Sequence, residues 1–376
     1  MNKKINLLIL NYEFPPLGGG ASPVSYELTD ELSKTGLYDI DVVTMGYNDL
    51  AKYEEINDNF RIHRVWCFRR KKEICEPFEQ LSYLISGYFQ CRKLFKKKKF
   101  DICHTHFIIP TGVLALWLKM WHKLPYVITA HGSDVLGYNP RFKKLYPLLK
   151  YPWRKVIDLS SVTTSPTLFL KGKILDCYKR NKDKIRVIPN GIKKDKFIAQ
   201  EKKKYFLLVS RLTSNKGVQD VIEAAAKIDL KEYSIKIVGD GPILQDLQQM
   251  VTELHLQEKV EFLGWIDNKS EKMKEMYGHA SIFILASYFE NMNVTLMEAM
   301  QAKCAIISTN IGGNMELLGN NGLFFSPGNI DNLADTMQKI INNYDLVLEY
   351  GQKAQIRINS NFLWSNIINS YMDILR

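Results

Sequence analysis

Short apolar runs alternate along almost the whole chain with longer segments in which apolar residues recur every three or four positions. The short runs are typical of buried strands in a parallel sheet, and the longer segments are typical of helices packed on it. The first half predicts strands over Ile5–Leu10, Ile40–Thr44, Ile62–Trp66, Ile102–Thr105, Tyr126–Ala130, Val162–Thr164 and Ile185–Ile188. The second half predicts strands near 205–210, 234–238, 259–263, 281–285, 304–308 and 322–325. Strands that alternate with helices form parallel sheets covered by helices on both faces.

The pattern is interrupted near the middle of the chain, which is long enough for two domains. A length of 376 residues is large for one domain and comfortable for two. Pro189-Asn190-Gly191 is a turn signal, and the charged stretch Lys193–Lys204 after it is interpreted as a solvated linker. We therefore expect an α/β fold of two Rossmann-like domains that face each other across a cleft.

Composition narrows the class of protein. An apolar content of 46% and a charged content of 24% are typical of ordered globular proteins. No run approaches 18 uncharged apolar residues and the first residues lead directly into a strand, so we expect neither a secretion signal nor a membrane span. The six cysteines show no CxxC and no paired spacing, which favours reduced thiols in a cytoplasmic protein.

Positive charge is concentrated in the first half. Residues 1–190 hold 31 Lys/Arg and 18 Asp/Glu, a balance of +13, whereas residues 191–376 hold 20 and 22, a balance of −2. Two of the basic clusters are Arg69–Lys72 and Lys96–Lys99. This asymmetry indicates that the first domain faces something anionic, and we expect no nucleic-acid partner.

Residues 77–100 combine an apolar helical pattern with a basic end, Lys96–Lys99. Phe78, Leu81, Tyr88 and Phe89 belong to the apolar part. A helix of this kind lies on an anionic membrane surface. A core-packed helix followed by a solvated run of charge explains the same pattern, and the sequence leaves both interpretations open.

Two carboxylates in the second half carry the most specific chemistry. Glu290 follows the predicted strand Ser281–Ala286, and Glu298 lies in the helix after it. Ligands of doubly wound sheets bind at the carboxyl ends of the strands. On one helix, eight residues would separate the pair by roughly 12 Å, against about 5–9.5 Å for a glycosidase pair. The spacing therefore favours two contacts to different hydroxyls of one long ligand over an acid and a base acting on one bond.

Two other turns carry candidate anion contacts. Gly18, Gly19 and Gly20 lie between the first strand and the first helix, where a ligand can approach the backbone and the helix amino end favours anions. The run is not GxGxxG, and no acidic residue follows at the dinucleotide spacing, so a nicotinamide cofactor is disfavoured. Arg211 ends a strand and Lys216 lies where the next helix begins, an arrangement that suits a diphosphate. Flexible or solvated turns remain the alternative for both.

His131 is a candidate site residue in the first half, because a histidine at the carboxyl end of a strand points into the cleft region rather than the core, although His followed by Gly is also common in plain turns. It follows the strand Tyr126–Ala130, and Asp134 is placed to orient or charge-balance it. We expect His104 and His106, on the preceding strand, to have structural roles.

The chain contains one DxD pattern of the kind that holds a metal on a nucleotide sugar. Asp39 and Asp41 open the second strand at its amino end, opposite the ligand edge of such a sheet, so we interpret them as structural. No other cluster has metal-ligand spacing, and we expect no metal site.

Taken together, these residues resemble the retaining glycosyltransferases of the GT-B fold, specifically glycosyltransferase family 4. The resemblance covers almost the whole chain and rests on the order and intervals of six elements: His131-Gly132-Ser133-Asp134, Ile188-Pro189-Asn190-Gly191-Ile192, Ser210-Arg211-Leu212 with Lys216-Gly217, Val238-Gly239-Asp240-Gly241-Pro242, Phe262-Leu263-Gly264-Trp265 and Glu290 with Glu298.

The resemblance implies domains and residue roles. Residues 1–190 would form the acceptor domain, 191–355 the nucleotide-sugar domain, and 356–376 a helix that returns to the first domain. In the nucleotide-sugar domain, Glu290 would bind the donor sugar, Glu298 the ribose and Gly264 would lie near the base. The diphosphate would be bound by Arg211 and Lys216 together with backbone amides at Asn293 and Val294. In the acceptor domain, His131 would lie at the reacting centre, and Gly19 and Gly20 would lie near the phosphates or acceptor. The family usually has glycines where Asn291-Met292-Asn293 stands here, which leaves the donor sugar open.

The resemblance also implies an activity. It is transfer of a hexosyl or N-acetylhexosaminyl group from a nucleoside-diphosphate sugar, expected to be UDP-linked, without a metal or other cofactor. The expected acceptor is a glycan or lipid-linked molecule of cell-surface polysaccharide or lipopolysaccharide biosynthesis, and the expected location is the cytoplasm, with peripheral attachment to the inner face of the membrane left open. The alternatives are a soluble transferase on a small acceptor, a sugar-nucleotide epimerase of the same fold and a catalytically silent nucleotide-binding protein.

Overall fold

Two compact units make up the molecule. The computed structural model describes residues 3–138 and 146–376. Unit 1 comprises Met1–Gly191 and Trp364–Arg376, and unit 2 comprises Ile192–Leu363. The chain therefore leaves unit 1 once, completes unit 2 and then contributes a final segment to unit 1.

Unit 1 contains an eight-stranded sheet in the order β3-β4-β2-β1-β5-β6-β7-β8 within the described residues, parallel except for the β3–β4 pair. The strands are β1 (Ile5–Leu10), β2 (Tyr38–Met45), β3 (Tyr53–Asn57), β4 (Phe60–Val65), β5 (Ile102–His106), β6 (Tyr126–Thr129), β7 (Thr163–Ser165) and β8 (Ile185–Val187). The helices between them are α1 (Ala21–Lys34), α2 (Pro77–Phe95), α3 (Thr111–His122), α4 (Tyr146–Leu159) and α5 (Leu168–Cys177).

Unit 2 contains a six-stranded parallel sheet in the order β11-β10-β9-β12-β13-β14. The strands are β9 (Lys203–Val209), β10 (Ser234–Val238), β11 (Val260–Gly264), β12 (Ala280–Leu285), β13 (Ala305–Thr309) and β14 (Leu323–Phe325). The helices are α6 (Val218–Ala226), α7 (Leu244–Glu253), α8 (Glu271–His279), α9 (Val294–Gln301), α10 (Gly312–Leu318), α11 (Ile330–Ile341) and α12 (Tyr344–Asn361).

The segment that returns to unit 1 is the helix α13 (Trp364–Ile374), which packs on α1. The indole of Trp364 donates a hydrogen bond to Glu27 at 3.0 Å. The boundary expected between residues 355 and 356 falls inside α12, which packs on β13 and α9 and so stays with unit 2. Because α12 packs on two elements of unit 2, the chain passes from unit 2 to unit 1 after this helix, between Leu363 and Trp364.

The prediction of two parallel α/β sheets is confirmed, because the central strands are buried on both faces as their unbroken apolar runs require. Every residue of β5 and of β12 is buried. The sequence did not indicate β3, a largely exposed edge strand that contains two glutamates and pairs antiparallel with β4. Within residues 3–138 and 146–376, no helix has the length and apolar character needed to cross a membrane.

Candidate active site

Unit 2 brings two of the predicted site residues into direct contact. Lys216 lies in the short 3-10 turn Ser214–Lys216 between β9 and α6, and Glu290 lies in the loop between β12 and α9. Since β9 and β12 are adjacent and parallel, both turns meet at the carboxyl edge of the sheet. Lys216 Nζ lies 2.5 Å from Glu290 Oε1, and both side chains are partly exposed. The two predicted residues are therefore joined directly by an ion pair.

Backbone approaches that only glycine allows hold the Glu290 loop on both sides. A Cβ on Gly217, which has φ +67°, would lie 2.2 Å from the carbonyl oxygen of Ala286. A Cβ on Gly313 would lie 1.4 Å from the carbonyl oxygen of Asn291. Atoms cannot approach so closely, so glycine at these positions fixes the path of the Glu290 loop between the starts of α6 and α10.

Tyr288 also ties the same loop to α6 and to the turn before it. The backbone N–H of Tyr288 donates to the carbonyl of Asn215 at 2.9 Å, and its hydroxyl donates to Asp220 at 3.0 Å. Burial raises the pKa of the Asp220 carboxyl, although the hydrogen bond from Tyr288 lowers it. Glu290 is thus carried on a loop with three separate anchors.

Arg211 is exposed, two residues after the end of β9. Among the residues that the structure describes, its guanidinium has no hydrogen bond or ion pair, in contrast to Lys216. An unpaired guanidinium on the carboxyl side of a strand is available for a bidentate contact to phosphate.

Glu298 lies in a different environment from Glu290, because its side chain is only 1% exposed. Its Oε1 accepts hydrogen bonds from Lys196 at 3.2 Å and Asn268 at 2.8 Å, and its Oε2 accepts one from Tyr277 at 3.0 Å. Burial, together with the charge of Glu298, raises the pKa of Tyr277 well above its ordinary value. A ribose hydroxyl would have to share this buried carboxylate with Lys196, Asn268 and Tyr277.

The pairing of Lys196 corrects the interpretation of Lys193–Lys204 as a solvated linker. Besides Lys196, the side chain of Lys202 is held inside, donating to the carbonyls of Gly278 at 2.9 Å and Ala302 at 2.6 Å. These carbonyls lie at the ends of α8 and α9, where a cation satisfies orphaned acceptors. The local pattern gave no signal of this, because the partners lie about a hundred residues further along the chain.

The amino end of α9 lies beside Glu290. Asn293 caps the helix by accepting a hydrogen bond from the N–H of Leu296 at 3.0 Å, and Val294 is the first helical residue. The amino end of a helix favours anions through its free N–H groups and its dipole. The structure therefore places the residues predicted to assist the diphosphate at a helix start.

Gly264, predicted to lie near the base, is the last residue of β11, and its carbonyl accepts a hydrogen bond from the N–H of Gly239 at 2.9 Å. Open space surrounds the position of a Cβ on Gly264, and the next residue, Trp265, is 73% exposed. This edge of unit 2 therefore offers an uncovered aromatic surface next to an accessible backbone.

In unit 1, His131 follows β6 and contacts a second imidazole. His131 Nε2 lies 3.0 Å from Nδ1 of His106, and the two rings are stacked. Phe107 packs on His131 with ring centroids 4.7 Å apart. Desolvation lowers the pKa of His131 to about 3, so the ring is neutral at physiological pH.

Asp134 does not orient the ring of His131, which corrects the expected role. Its Oδ1 accepts hydrogen bonds from the backbone N–H groups of His131 and Gly132, both at 2.9 Å, and its Oδ2 accepts one from the N–H of Ile108 at 2.7 Å. The carboxylate holds the turn that carries His131, and the orienting contact comes from His106 instead. Burial raises the pKa of Asp134, opposed by the backbone N–H groups that bind it.

Gly19 and Gly20 lie between β1 and α1, with Gly20 as the residue that precedes the helix. Gly20 is exposed, and a Cβ there would meet no other atom within 4 Å. The turn therefore leaves room for a ligand at the amino end of α1.

The DxD pair Asp39 and Asp41 is engaged by cations at the amino end of β2. Arg61 and Lys98 bind both carboxylates, and His63 lies 2.7 Å from Asp41. Burial alone would raise the pKa of Asp41, but hydrogen bonds from His63, Arg61 and Lys98 outweigh it and hold that pKa well below its usual range. Within the described ranges, no group of three or more His, Cys, Asp or Glu side chains could hold a metal ion.

Comparison with protein families gives two matches. A family model described as "Glycosyltransferase Family 4" matches residues 18–196, and one described as "Glycosyl transferases group 1" matches residues 190–357. Together the two models span most of the chain and meet where unit 1 gives way to unit 2.

Known relatives match over nearly the full chain. An N-acetyl-alpha-D-glucosaminyl L-malate synthase from Bacillus anthracis is 26% identical over 96% of this chain and 96% of its own length. A UDP-Gal:alpha-D-GlcNAc-diphosphoundecaprenol alpha-1,3-galactosyltransferase from Escherichia coli is 27% identical over 88% of this chain and 87% of its own. The solved structure of sucrose-phosphate synthase from Thermosynechococcus elongatus has a similar fold, with a TM-score of 0.85, 17% identity, and coverage of 99% of this chain and 98% of its own.

Proposed function

This chain belongs to the family-4 glycosyltransferases of the GT-B fold, and from that premise we propose that it is a retaining enzyme that uses a nucleoside-diphosphate sugar. The proposed reaction moves a hexosyl or N-acetylhexosaminyl group to a glycan or lipid-linked acceptor of cell-surface polysaccharide or lipopolysaccharide biosynthesis. The observation that carries the donor half is the contact between Lys216 and Glu290, at the same sheet edge as Arg211, which has no ion pair within the described residues. The name of the Escherichia coli relative contains UDP-Gal, which supports a UDP-linked donor, and the name of the Bacillus anthracis relative contains N-acetyl-alpha-D-glucosaminyl, which supports an N-acetylhexosaminyl group.

The leaving group, a nucleoside diphosphate, sets the charge problem that the site must solve. Arg211 and Lys216 stabilise the developing negative charge, with help from the amino end of α9. When the diphosphate attracts Lys216, Glu290 is released to accept hydrogen bonds from the hydroxyls of the donor sugar. The bond between the anomeric carbon and phosphate oxygen breaks, the bond to the acceptor oxygen forms on the same face, and the departing phosphate oxygen takes the acceptor proton. No step requires a metal.

His131 contributes a neutral imidazole in this mechanism. A ring with a pKa of about 3 carries no charge at physiological pH and is too weak a base to remove a proton from a sugar carbon. This observation disfavours the epimerase alternative, which needs acid and base groups around the sugar. Arg211 is an exposed cation without a side-chain hydrogen bond or ion pair within residues 3–138 and 146–376, which disfavours a catalytically silent protein.

Helix α2 supports the proposal of a lipid-linked acceptor. One face of α2 packs into the core of unit 1 through Tyr83, Leu84, Cys91 and Leu94. The opposite face exposes large apolar side chains at helical spacing: Phe78 by 46%, Leu81 by 61%, Ile85 by 59% and Phe89 by 55%. We call these four residues the α2 stripe. One face of the helix is therefore core, and the other is an exposed apolar surface, which supports the proposed membrane contact without testing it.

Basic residues flank the α2 stripe at both ends. Arg70 lies over the ring of Phe78 at 5.1 Å, and Lys71 and Lys72 are exposed beside it. At the other end Lys96, Lys97 and Lys99 are exposed. Two of the eight expected charges are not available, because Lys98 binds Asp39 and Asp41, and the buried Arg69 donates to backbone carbonyls.

An apolar stripe between two clusters of cations fits an anionic lipid surface, which would present a lipid-linked acceptor to unit 1. Each exposed Lys or Arg near such a surface contributes about 1 kcal/mol, and that contribution decays within a Debye length. We therefore propose reversible attachment through α2, with a salt-sensitive part from the cations and a salt-resistant part from the stripe.

Vesicle sedimentation tests the attachment. The protein should co-sediment with anionic vesicles less strongly as salt rises, and replacement of Lys96, Lys97 and Lys99 by Gln should weaken its binding at low salt. The matched control replaces three exposed lysines of unit 2 by Gln and should leave binding intact; these are Lys203, Lys272 and Lys339.

A second variant, Leu81→Ser with Ile85→Ser, separates the two contributions, since it should remove the salt-resistant part alone. Equal binding to neutral vesicles would mean that insertion dominates. Self-association that the serine variant abolishes, without vesicle binding, would assign the stripe to a second copy of the chain and favour a small acceptor.

A panel of nucleotide sugars tests the donor. One sugar nucleotide should raise the melting temperature and be hydrolysed slowly without acceptor, and retention of the anomeric configuration in the product should be visible by NMR. Stabilisation without hydrolysis or transfer by any member of the panel would instead support a silent binding protein.

A further inference from the structure

We infer that His106 is a positioning residue that sets the tautomer of His131: His106 Nδ1–H donates to His131 Nε2, so that His131 carries its own proton on Nδ1 and presents an N–H donor to the substrate. This assignment rests on the proposed function for its role in catalysis, but the tautomer itself does not depend on it. Nothing in the position of His131 along the sequence distinguishes the two ring nitrogens, whereas the contact with His106 does.

The imidazole rings of His106 and His131 are both neutral. Desolvation lowers the pKa of His106 well below its ordinary value, and it lowers that of His131 to about 3. Each neutral imidazole carries one N–H, so the 3.0 Å contact between His106 Nδ1 and His131 Nε2 needs a donor on one side and a bare nitrogen on the other. Only two arrangements satisfy it.

The other ring nitrogen of His106, Nε2, decides between these two arrangements. His106 is 1% exposed, and its Nε2 is sealed from solvent with no hydrogen-bond partner among the described residues. If His131 donated, His106 would have to carry its proton on Nε2 and bury an unpaired N–H. If His106 donates, Nε2 is a bare nitrogen. Buried unpaired N–H groups are the rarer defect in proteins, so donation from His106 is favoured.

A neighbouring histidine follows the same rule. His104 Nε2 lies 2.8 Å from Thr129 Oγ1, which lies 2.8 Å from Thr164 Oγ1, and Thr164 donates to the carbonyl of Ile128. Because the Thr164 hydroxyl donates to that carbonyl, its oxygen accepts from the hydroxyl of Thr129, and the Thr129 oxygen accepts from His104, which therefore donates with Nε2–H. Its Nδ1 is then the bare nitrogen, and it too is buried without a partner among the described residues.

The consequence falls on the free nitrogen of His131. Nδ1 of His131 makes no hydrogen bond within the described residues and is not among the nitrogens sealed from solvent. With its proton there, His131 can donate to a hydroxyl or phosphoryl oxygen of the nucleotide sugar and cannot accept a proton from the acceptor. His106 thereby fixes which kind of hydrogen bond the reacting centre can make.

The tautomer is measured directly on the full-length protein labelled with 15N-histidine. Long-range correlation spectra distinguish the two tautomers by their cross-peak patterns, and a His131→Gln variant assigns the signals. Wild type should show His131 with a protonated Nδ1 and a bare Nε2. The opposite tautomer in wild type would overturn the inference without recourse to any other variant.

Substitutions at position 106 separate tautomer control from packing. His106→Asn places an amide near Nδ1 that can still donate, so the tautomer of His131 should persist. His106→Leu removes the donor, and His131 should become a mixture of tautomers. The matched control His104→Gln alters the neighbouring buried ring without touching His131 and should leave its tautomer unchanged. An unchanged tautomer in a folded His106→Leu protein would overturn the role of His106.

Kinetics give the second readout once a donor sugar is known. His106→Leu should lower kcat about three- to tenfold, the value of one ordinary hydrogen bond, with the Michaelis constant for the donor nearly unchanged, and His106→Asn should restore most of it. A wild-type protein without transferase activity but with the expected tautomer would refute the proposed function alone. Activity with the wrong tautomer would refute this inference alone.

Discussion

The carboxyl edge of the unit 2 sheet is charged and partly exposed, whereas the same edge of the unit 1 sheet is built from neutral, desolvated rings. In unit 2, Lys216 and Glu290 form an ion pair beside the exposed Arg211. In unit 1, His131 packs on His106 and Phe107, and its pKa is lowered to about 3. The difference suits the two tasks proposed for these edges, which are binding a diphosphate that gains negative charge and holding a reacting centre without a competing proton carrier.

The largest expected effect comes from removing the charged edge. Arg211→Ala and Lys216→Ala should each weaken nucleoside-diphosphate binding by about 1.5–3 kcal/mol, measured by calorimetry, because each deletes a charge-assisted contact. Lys216→Ala should also lower kcat, since Lys216 is proposed to stabilise the negative charge that develops on the leaving diphosphate. Lys203→Ala, at the amino end of the same strand β9, is the control. Normal binding in both site variants would remove these cations from the site.

The two glutamates of unit 2 should differ in kind. Glu290→Gln should lower kcat about tenfold, or about 1.4 kcal/mol, because its contacts to the sugar change during the reaction, and it should tighten binding of the free nucleoside diphosphate by releasing Lys216. Glu298→Gln should mainly raise the Michaelis constant for the donor, because this carboxylate sits in a fixed network with Tyr277 and Lys196.

Steady-state kinetics over a range of pH provides the check. If the two variants behave alike, and wild-type activity follows the titration of one carboxylate, then the pair acts as acid and base and the charge comparison between the units loses its meaning.

The buried neutral histidines of unit 1 should make the free energy of unfolding depend on pH. The pKa of His104 is lowered from 6.5 to about 3 by burial, so the unfolded chain binds a proton that the folded protein does not between these values. The free energy of unfolding should therefore fall as pH falls from 6.5 towards 3, by about 1.4 kcal/mol per pH unit for each such histidine.

Denaturant unfolding at several pH values between 7.5 and 4.5 measures this slope. His104→Gln should reduce it by the contribution of one histidine. The depressed pKa values of Asp39 and Asp41 act from the ordinary carboxyl value of 3.8 downwards. The raised pKa values of Asp134 and Asp220 act above 3.8 with the opposite sign, so the difference between wild type and His104→Gln, rather than the total slope, isolates the histidine. Equal slopes for the two proteins between pH 6.5 and 4.5 would mean that His104 is protonated in the folded protein.

The smallest expected effect is that of a chelator. Activity should persist in excess EDTA, because Arg61, Lys98 and His63 already occupy Asp39 and Asp41 at the amino end of β2. Loss of transfer that manganese or magnesium restores would show that a metal supplies the charge assigned here to Arg211 and Lys216.

The fold could be predicted from the chain because its signals are local. Most of the buried strands are apolar runs, and the turns that carry Glu290, Lys216 and His131 follow such runs directly, whereas the buried strand β7 consists of Thr and Ser. The edge strand β3 was missed, since exposed glutamates obscure its pattern.

The contacts within the site could not be predicted, because they depend on which strands are neighbours. Lys196 meets Glu298 across about a hundred residues, inside a stretch that looks solvated. His106 meets His131 only because β5 pairs with β6 in a register that sets His106 beside Thr129. Sequence periodicity fixes the face of a strand but not the partner on the next one.

The order of the chain has a consequence for how the protein is made. Unit 2 is continuous from Ile192 to Leu363, and these two residues pair with each other, so its entry and exit points are adjacent. On the ribosome, unit 2 therefore has all of its residues before unit 1 does, although unit 1 begins first. The face of α1 stays uncovered until α13 has been synthesised. The domain that starts the chain is the last to be completed.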